Sequence, residues 1–232
     1  MTHNGKVPID YDHPLTSISA DAPRPTGLRP LGLEKRRDGL LYVPPSYNAD
    51  LPGRLAVAFH GAGSDAERGL APLLPLADDA NMILLALDSR GRTWDIILGE
   101  YGPDVTFLDQ ALTQFFVRYA VDRTRIATTG FSDGASYALG VGLMNSDLFT
   151  HIMAFSPGFI PPVRAERCTP MFISHGTQDT VLPIERCSRR IVNQMREAGC
   201  AVDYREFDGP HTVPPKIARE AMDWFVGQQE MR

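Results

Sequence analysis

Long apolar runs are missing from this sequence. Nothing in its 232 residues approaches the roughly 18 consecutive apolar positions that a membrane-crossing helix needs, so no membrane span is expected. Cysteine is scarce as well. Cys168, Cys187 and Cys200 are too few and too spread for a disulfide framework or a zinc site, and the plain reading is three reduced or buried thiols. There is no run of positive charge to follow a nucleic-acid backbone. The cluster "EKRRD" is short and self-neutralising, and the formal net charge is -5, which argues against a nucleic-acid partner. No H-E-x-x-H or comparable ligand spacing occurs, so no metal and no cofactor is expected. The stretch "MTHNGKVPIDYDHPLTSISADAPRP" lacks a charged-then-apolar signal segment, which makes cytoplasmic the default location.

What is present suits one large α/β domain. Hydrophobic residues make up 43% and charged residues 22%, which is ordinary for a globular chain. Residues 1–28 are polar and dotted with proline, and read as an irregular arm; 29–232 read as a single domain without internal repeats. There, short apolar runs alternate with amphipathic stretches. "GLLYVP" after the turn-like "RRDG" suggests the second arm of a hairpin. "RLAVAFHG" and "MILLALD" are continuous apolar strands of the kind buried in parallel sheets, with one helix expected between them through "AERGLAPLLPLADDA". "DVTFLDQALTQFFVRYAV" has the three- and four-residue spacing of an amphipathic helix. "RIATTG", "HIMAFSPG", "PMFISHG" and "VDYREFDG" read as strands. "DGASYALGVGLMN", "IERCSRRIVNQMREAG" and "PKIAREAMDWFVGQQ" read as helices. This alternation predicts a mostly parallel sheet with helices on both faces, and in such sheets chemistry gathers at the carboxyl ends of the strands.

One serine has the surroundings of a nucleophile. In "TTGFSDGASYALG", Ser132 follows a predicted strand, precedes a predicted helix, and stands between Gly130 and Gly134. That is the setting of a G-x-S-x-G turn, where the glycines remove side chains that would collide and the serine hydroxyl is pushed above the sheet. The bland alternative is a plain N-cap serine.

A serine hydroxyl needs a base. Of six histidines, His3 and His13 lie in the arm, and His151 opens a strand at the wrong end of the sheet. His60 and His175 each precede glycine at a strand's carboxyl end, where roles in shaping the backbone are expected. His211, in "FDGPHTVPP" between the last strand and last helix, is the expected base. Asp179, in "FISHGTQDTVLP", is the expected acid to orient that ring; its rival, Asp208, is too local to the same turn. The oxyanion needs donors. One is the amide of Asp133 at the helix N-terminus, with its carboxylate turned outward toward that helix end. The other comes from "FHGAGSD", with Ala62 N–H preferred to Gly63.

Taken in order, "AFHGAGSD", "SRGRTWD", "GFSDGAS", "SHGTQDTVLP" and "GPHTVP" resemble the α/β-hydrolase serine esterases, closest to the phospholipase/carboxylesterase group that includes acyl-protein thioesterases. The resemblance spans roughly 52–227. It implies an α/β-hydrolase fold, a triad of Ser132, Asp179 and His211, and an oxyanion hole at Ala62 and Asp133. It also sets Trp94 and Asp95 beside the acyl pocket. Asp133 stands where many thioesterases carry glutamine, and proline replaces glycine before His211.

The expected activity is hydrolysis of short- to medium-chain carboxylic esters through an acyl-enzyme on Ser132. A thioesterase or peptidase with the same triad, and a silent binding protein of this fold, are the rivals. After "HIMAFSPG" only "FIPPVRAERCT" precedes the next strand, too little for a cap domain. An open cleft bordered by the loops of Trp94 and Phe159 should therefore take a small ester. A homodimer stays open.

Overall fold

A computed structural model describes residues 6–7, 24–161 and 167–227. Most of the arm read over 1–28, with His3 and His13, lies outside the described residues. Val7 is among them: it is buried, and its N–H donates to Asn145 Oδ1 at 2.8 Å.

The described residues form eight strands in one sheet: β1 (Gly27–Pro30), β2 (Gly39–Val43), β3 (Gly53–Phe59), β4 (Met82–Leu87), β5 (Val121–Phe131), β6 (His151–Phe155), β7 (Met171–Gly176) and β8 (Val202–Phe207). Their spatial order is β1-β2-β4-β3-β5-β6-β7-β8. β1 and β2 make the expected hairpin, and β2 runs antiparallel to β4. From β4 to β8 every pairing is parallel. The inner parallel strands are apolar on both sides where both sides are covered; all six residues of β4 are buried, whereas the edge strand β8 is partly exposed.

The alternation of side chains splits these strands between two faces. Ala56, Ala58, Leu84, Ala86, Met153 and Phe155 face α1 (Ala66–Leu70) and α5 (Pro215–Gly227). Leu55, Val57, Phe59, Ile83 and Leu85 face α2 (Pro103–Phe116) and α3 (Asp133–Met144). Ile152, Ala154 and Ile173 continue that second face beneath α3 and α4 (Ser188–Glu197). The single helix expected through "AERGLAPLLPLADDA" is corrected: α1 stops at Leu70, and only a 3₁₀ turn at Leu74–Leu76 follows. Pro72 and Pro75 are the reason, since each lacks the N–H that an α-helix needs.

The reading of three reduced or buried thiols is corrected for two of them. Cys168 and Cys200 form a disulfide, and the buried Cys187 is free. The bridge ties the entry to β7 to the turn between α4 and β8, across a sequence separation of 32. A loop of that length should add about 3–4 kcal/mol by restricting the unfolded chain. Replacing both Cys168 and Cys200 with serine should lower the urea-unfolding free energy by that amount, and an unchanged midpoint would show that the bridge does not constrain the unfolded chain.

No helix among the described residues is long and apolar enough to cross a membrane.

Candidate active site

β3, β5, β6 and β7 end side by side, and Ser132, His211 and Asp179 meet above those ends. β5 finishes at Phe131, and α3 begins at Asp133. Ser132, the one residue between, has φ 58° and ψ −122°. A non-glycine residue held there costs on the order of 1–3 kcal/mol, so the surroundings must enforce it. They do so by close approach. A Cβ on Gly130 would lie 2.3 Å from Gly134 O, and one on Gly134 would lie 2.1 Å from Phe59 O. Glycine alone lets strand and helix meet so closely. The Ser132 N–H donates to Phe155 O at 2.9 Å and pins the turn to β6. Among the described residues the Ser132 side chain makes no cap hydrogen bond. It turns instead to His211, with Oγ 2.9 Å from Nε2.

His211 lies in the loop between β8 and α5, its ring tilted over that of Phe131 with centroids 4.5 Å apart. Its Nδ1 is 2.5 Å from Asp179 Oδ2. The loops bearing the two residues are tied together, because Gln178 N–H donates to Gly209 O at 3.0 Å and the Gln178 amide donates to Asp208 Oδ1 at 2.6 Å. Asp208 is thus an exposed loop tie, and Asp179 is the acid within reach of the ring. The Asp179 side chain is fully buried. Burial opposes its ionisation, but the N–H groups of Leu182 and Val181, with His211, outweigh that and hold its carboxyl below the ordinary value. Those two amides donate to Oδ1 at 2.8 and 2.9 Å.

Two backbone amides are the expected oxyanion donors. Asp133 N–H is the first of α3, where no intrahelical acceptor exists. In the "HGAG" turn, Gly63 N–H is already committed to Arg92 O at 2.7 Å. Ala62 N–H takes no protein acceptor among the described residues. The Asp133 carboxylate does not sit free at the helix end. It accepts the Thr93 hydroxyl at 2.7 Å and is drawn toward the loop after β4.

Trp94 is corrected. It was expected to border the cleft, but its side chain is 1% exposed. The indole stacks on Tyr137 at 4.7 Å, meets Phe59 edge-on at 5.0 Å and donates Nε1–H to His60 O at 2.8 Å. An apolar body with a satisfied donor belongs in the core, and from there Trp94 holds up the "HGAG" turn. Asp95 is a loop staple whose carboxylate accepts N–H from Ile96, Gly102 and Asp104. Phe159 does reach the surface, at 39% exposed, in a loop hung on Ser136, whose Oγ accepts Gly158 N–H at 3.0 Å. Leu98 and Val181 are exposed large apolar side chains in the loops after β4 and β7.

The remaining described histidines separate. His151 opens β6 and packs edge-on against Trp224 and Phe225. His60 is a latch: Ser89 N–H donates to Nε2 at 3.0 Å, and Nδ1 lies 2.7 Å from Gly61 O. Burial lowers its pKa and keeps it neutral. His175 does more than shape backbone, since it touches Asp179. Its place before Gly176 in "SHGTQD" was the available signal; the contact itself needs the fold.

Residues 106–223 match the Phospholipase/Carboxylesterase family model. The probable feruloyl esterase C of Aspergillus oryzae is 27% identical over 157 residues, covering 64% of this chain and 57% of its own. A bifunctional acetylxylan esterase/xylanase of Neocallimastix patriciarum is 27% identical over 174 residues, 71% of this chain and 24% of its own. The chain thus spans only part of the length of these curated relatives. Among solved structures, esterase 2 of Thermogutta terrifontis with propionate bound superposes with a TM-score of 0.69 at 20% identity, over 88% of this chain and 94% of that one. Esterase PE8 gives 0.66 at 19%, over 82% and 97%. These likenesses establish the fold. With a family match over half its length, on the sheet and elbow described above, the chain belongs to the phospholipase/carboxylesterase family of α/β hydrolases.

Proposed function

We propose that this protein is a serine carboxylesterase acting on short- to medium-chain esters. The carrying observation is the unbroken line from Ser132 Oγ through His211 to Asp179, with links of 2.9 and 2.5 Å, starting from a strained turn. Ser132 Oγ attacks the ester carbonyl carbon while His211 Nε2 takes its proton. Asp179 holds Nδ1–H and stabilises the imidazolium. The carbonyl oxygen becomes an oxyanion between the N–H groups of Ala62 and Asp133, usually the largest catalytic contribution. Collapse breaks the ester C–O bond, His211 gives its proton to the departing alcohol, and the acyl group stays on Ser132. Water then attacks, losing its proton to His211, and the acid leaves as Oγ recovers that proton.

The substrate class follows from the rim. Phe159, Leu98 and Val181 present apolar surface in loops at the strand ends, which suits an acyl chain. Of the "FIPPVRAERCT" segment that argued against a cap, 162–166 fall outside the described residues. An open cleft buries only the first few methylenes. Each adds about 0.8 kcal/mol, close to fourfold in binding, until the chain outruns the surface. The relatives named for feruloyl and acetylxylan esters, and the neighbour with propionate bound, support small acids. On p-nitrophenyl esters, kcat/KM should climb from acetyl to about hexanoyl and then level off, with no jump when substrate aggregates. A steady climb to long chains with interfacial activation would overturn this reading. Matched thioester and amide substrates test the thioesterase and peptidase alternatives, and a fluorophosphonate that fails to label Ser132 would turn the reading toward a silent binding protein. The Cys168–Cys200 bridge supports an oxidising compartment over the cytoplasmic default, since reducing pools open such bonds. Counting free thiols in protein from its native compartment tests that.

A further inference from the structure

A second imidazole lies behind the acid. His175, at the end of β7, is fully buried, with Nε2 3.1 Å from Asp179 Oδ2 and 2.7 Å from Leu182 O. Its Nδ1 is 2.6 Å from the hydroxyl oxygen of Ser188, the buried first residue of α4. These neighbours fix the tautomer. Nε2 faces a carbonyl and a carboxylate, both pure acceptors, so it carries the proton. Nδ1 is then an acceptor, and the Ser188 hydroxyl donates to it. The His175 N–H therefore donates to Leu182 O with Asp179 Oδ2 beside it, so Oδ2 lies between two imidazoles, His211 on the cleft side and His175 on the sheet side, while Oδ1 accepts the amides of Val181 and Leu182.

We propose that His175 is a positioning residue for ester hydrolysis: as a neutral N–H donor locked by Ser188 and Leu182, it fixes the Asp179 carboxylate and moderates its basicity toward His211. The proposal rests on the triad reading above. Few other charges reach this corner. Glu206 on β8 pairs with His175 across the sheet but is held by Arg189, and Cys187 lies just ahead of α4. Burial also lowers the pKa of His175, so the ring sets a polar N–H group beside Asp179 without a competing positive charge.

The sign of the effect follows. Removing the His175 donor leaves Asp179 a stronger base. It then holds the protonated form of His211 more tightly, and activity should need a higher pH to appear. His175→Leu should lower kcat roughly tenfold, the scale of one polar neighbour lost from a buried charged group. KM should stay unchanged, and the acid limb of kcat/KM should move up by about half a pH unit. His175→Gln, whose amide nitrogen can reach the position of Nε2, should restore kcat to within about threefold of wild type and return the limb. If His175→Leu fails to fold, Ser188→Ala decides, because freeing Nδ1 loosens the ring; it should lower kcat a few-fold and raise the limb. An unmoved limb and unchanged kcat in the folded variants would overturn the proposal. So would a Gln variant as slow as the Leu variant. An active Asp179→Asn enzyme would overturn the triad reading instead, which separates the two failures.

Discussion

Ser132→Ala should abolish fluorophosphonate labelling and lower turnover by roughly 10⁴–10⁶-fold, the loss expected when a triad nucleophile is removed. What remains comes from binding and from the oxyanion donors, which the substitution leaves in place. The stability of the same variant separates the two readings of this serine. An N-cap serine contributes about 1 kcal/mol through its side-chain hydrogen bond, but among the described residues Ser132 makes no such bond. Its backbone N–H to Phe155 O is kept in the variant, and alanine carries the same Cβ. Ser132→Ala should thus be inactive with an unfolding free energy within about 0.5 kcal/mol of wild type. A variant that keeps a tenth of the turnover, or loses a full cap's worth of stability with its activity intact, would return Ser132 to the role of a helix cap.

The parts of the site that sequence reached are those with a local rule. Gly130 and Gly134 announce the turn because no other residue fits between Phe59 O and the start of α3. Strand order along the chain placed Asp179 and His211 in successive loops, and the fold closes them to 2.5 Å. Trp94 shows where local reading stops. The resemblance carried by "SRGRTWD" put it near the cleft, but whether an indole faces solvent or core depends on Phe59 and Tyr137, which come from other elements. The end of α1 at Leu70 has a local signal in Pro72 and Pro75, which the reading of one continuous helix passed over. The Cys168–Cys200 bridge was not legible, because a pairing among three cysteines depends on which loops the sheet brings together. His175 was hidden for the same reason, since its partners Ser188, Leu182 and Asp179 follow it in the chain and fold back onto it.

Asp179→Asn should lower kcat by about 10⁴-fold, and the reason is a proton in the wrong place. An asparagine can keep the Val181 and Leu182 amides on its oxygen, as Oδ1 does now. Its NH₂ then faces His211 Nδ1, where an acceptor stood. A donor meeting a donor is unfavourable, so the ring shifts its proton to Nε2, the atom that must accept from Ser132. The His175 N–H on the other side of Oδ2 meets the same NH₂, so the rearrangement has no easy escape. Asp208→Asn tests the rival acid: it removes a charge from an exposed tie to Gln178, and turnover should stay within about threefold of wild type. Folding carries a matching pH signature. Because the folded-state pKa of Asp179 is depressed, its ionisation stabilises the fold above the unfolded carboxylate value of about 3.9, and that contribution is lost as pH falls through the lower folded value. The stability difference between wild type and Asp179→Asn should therefore shift against wild type only below about pH 4, while at neutral pH the defect is one of rate. Steady-state kinetics and urea titrations on the two asparagine variants check both halves; an inactive Asp208→Asn beside an active Asp179→Asn would transfer the acid's role to Asp208.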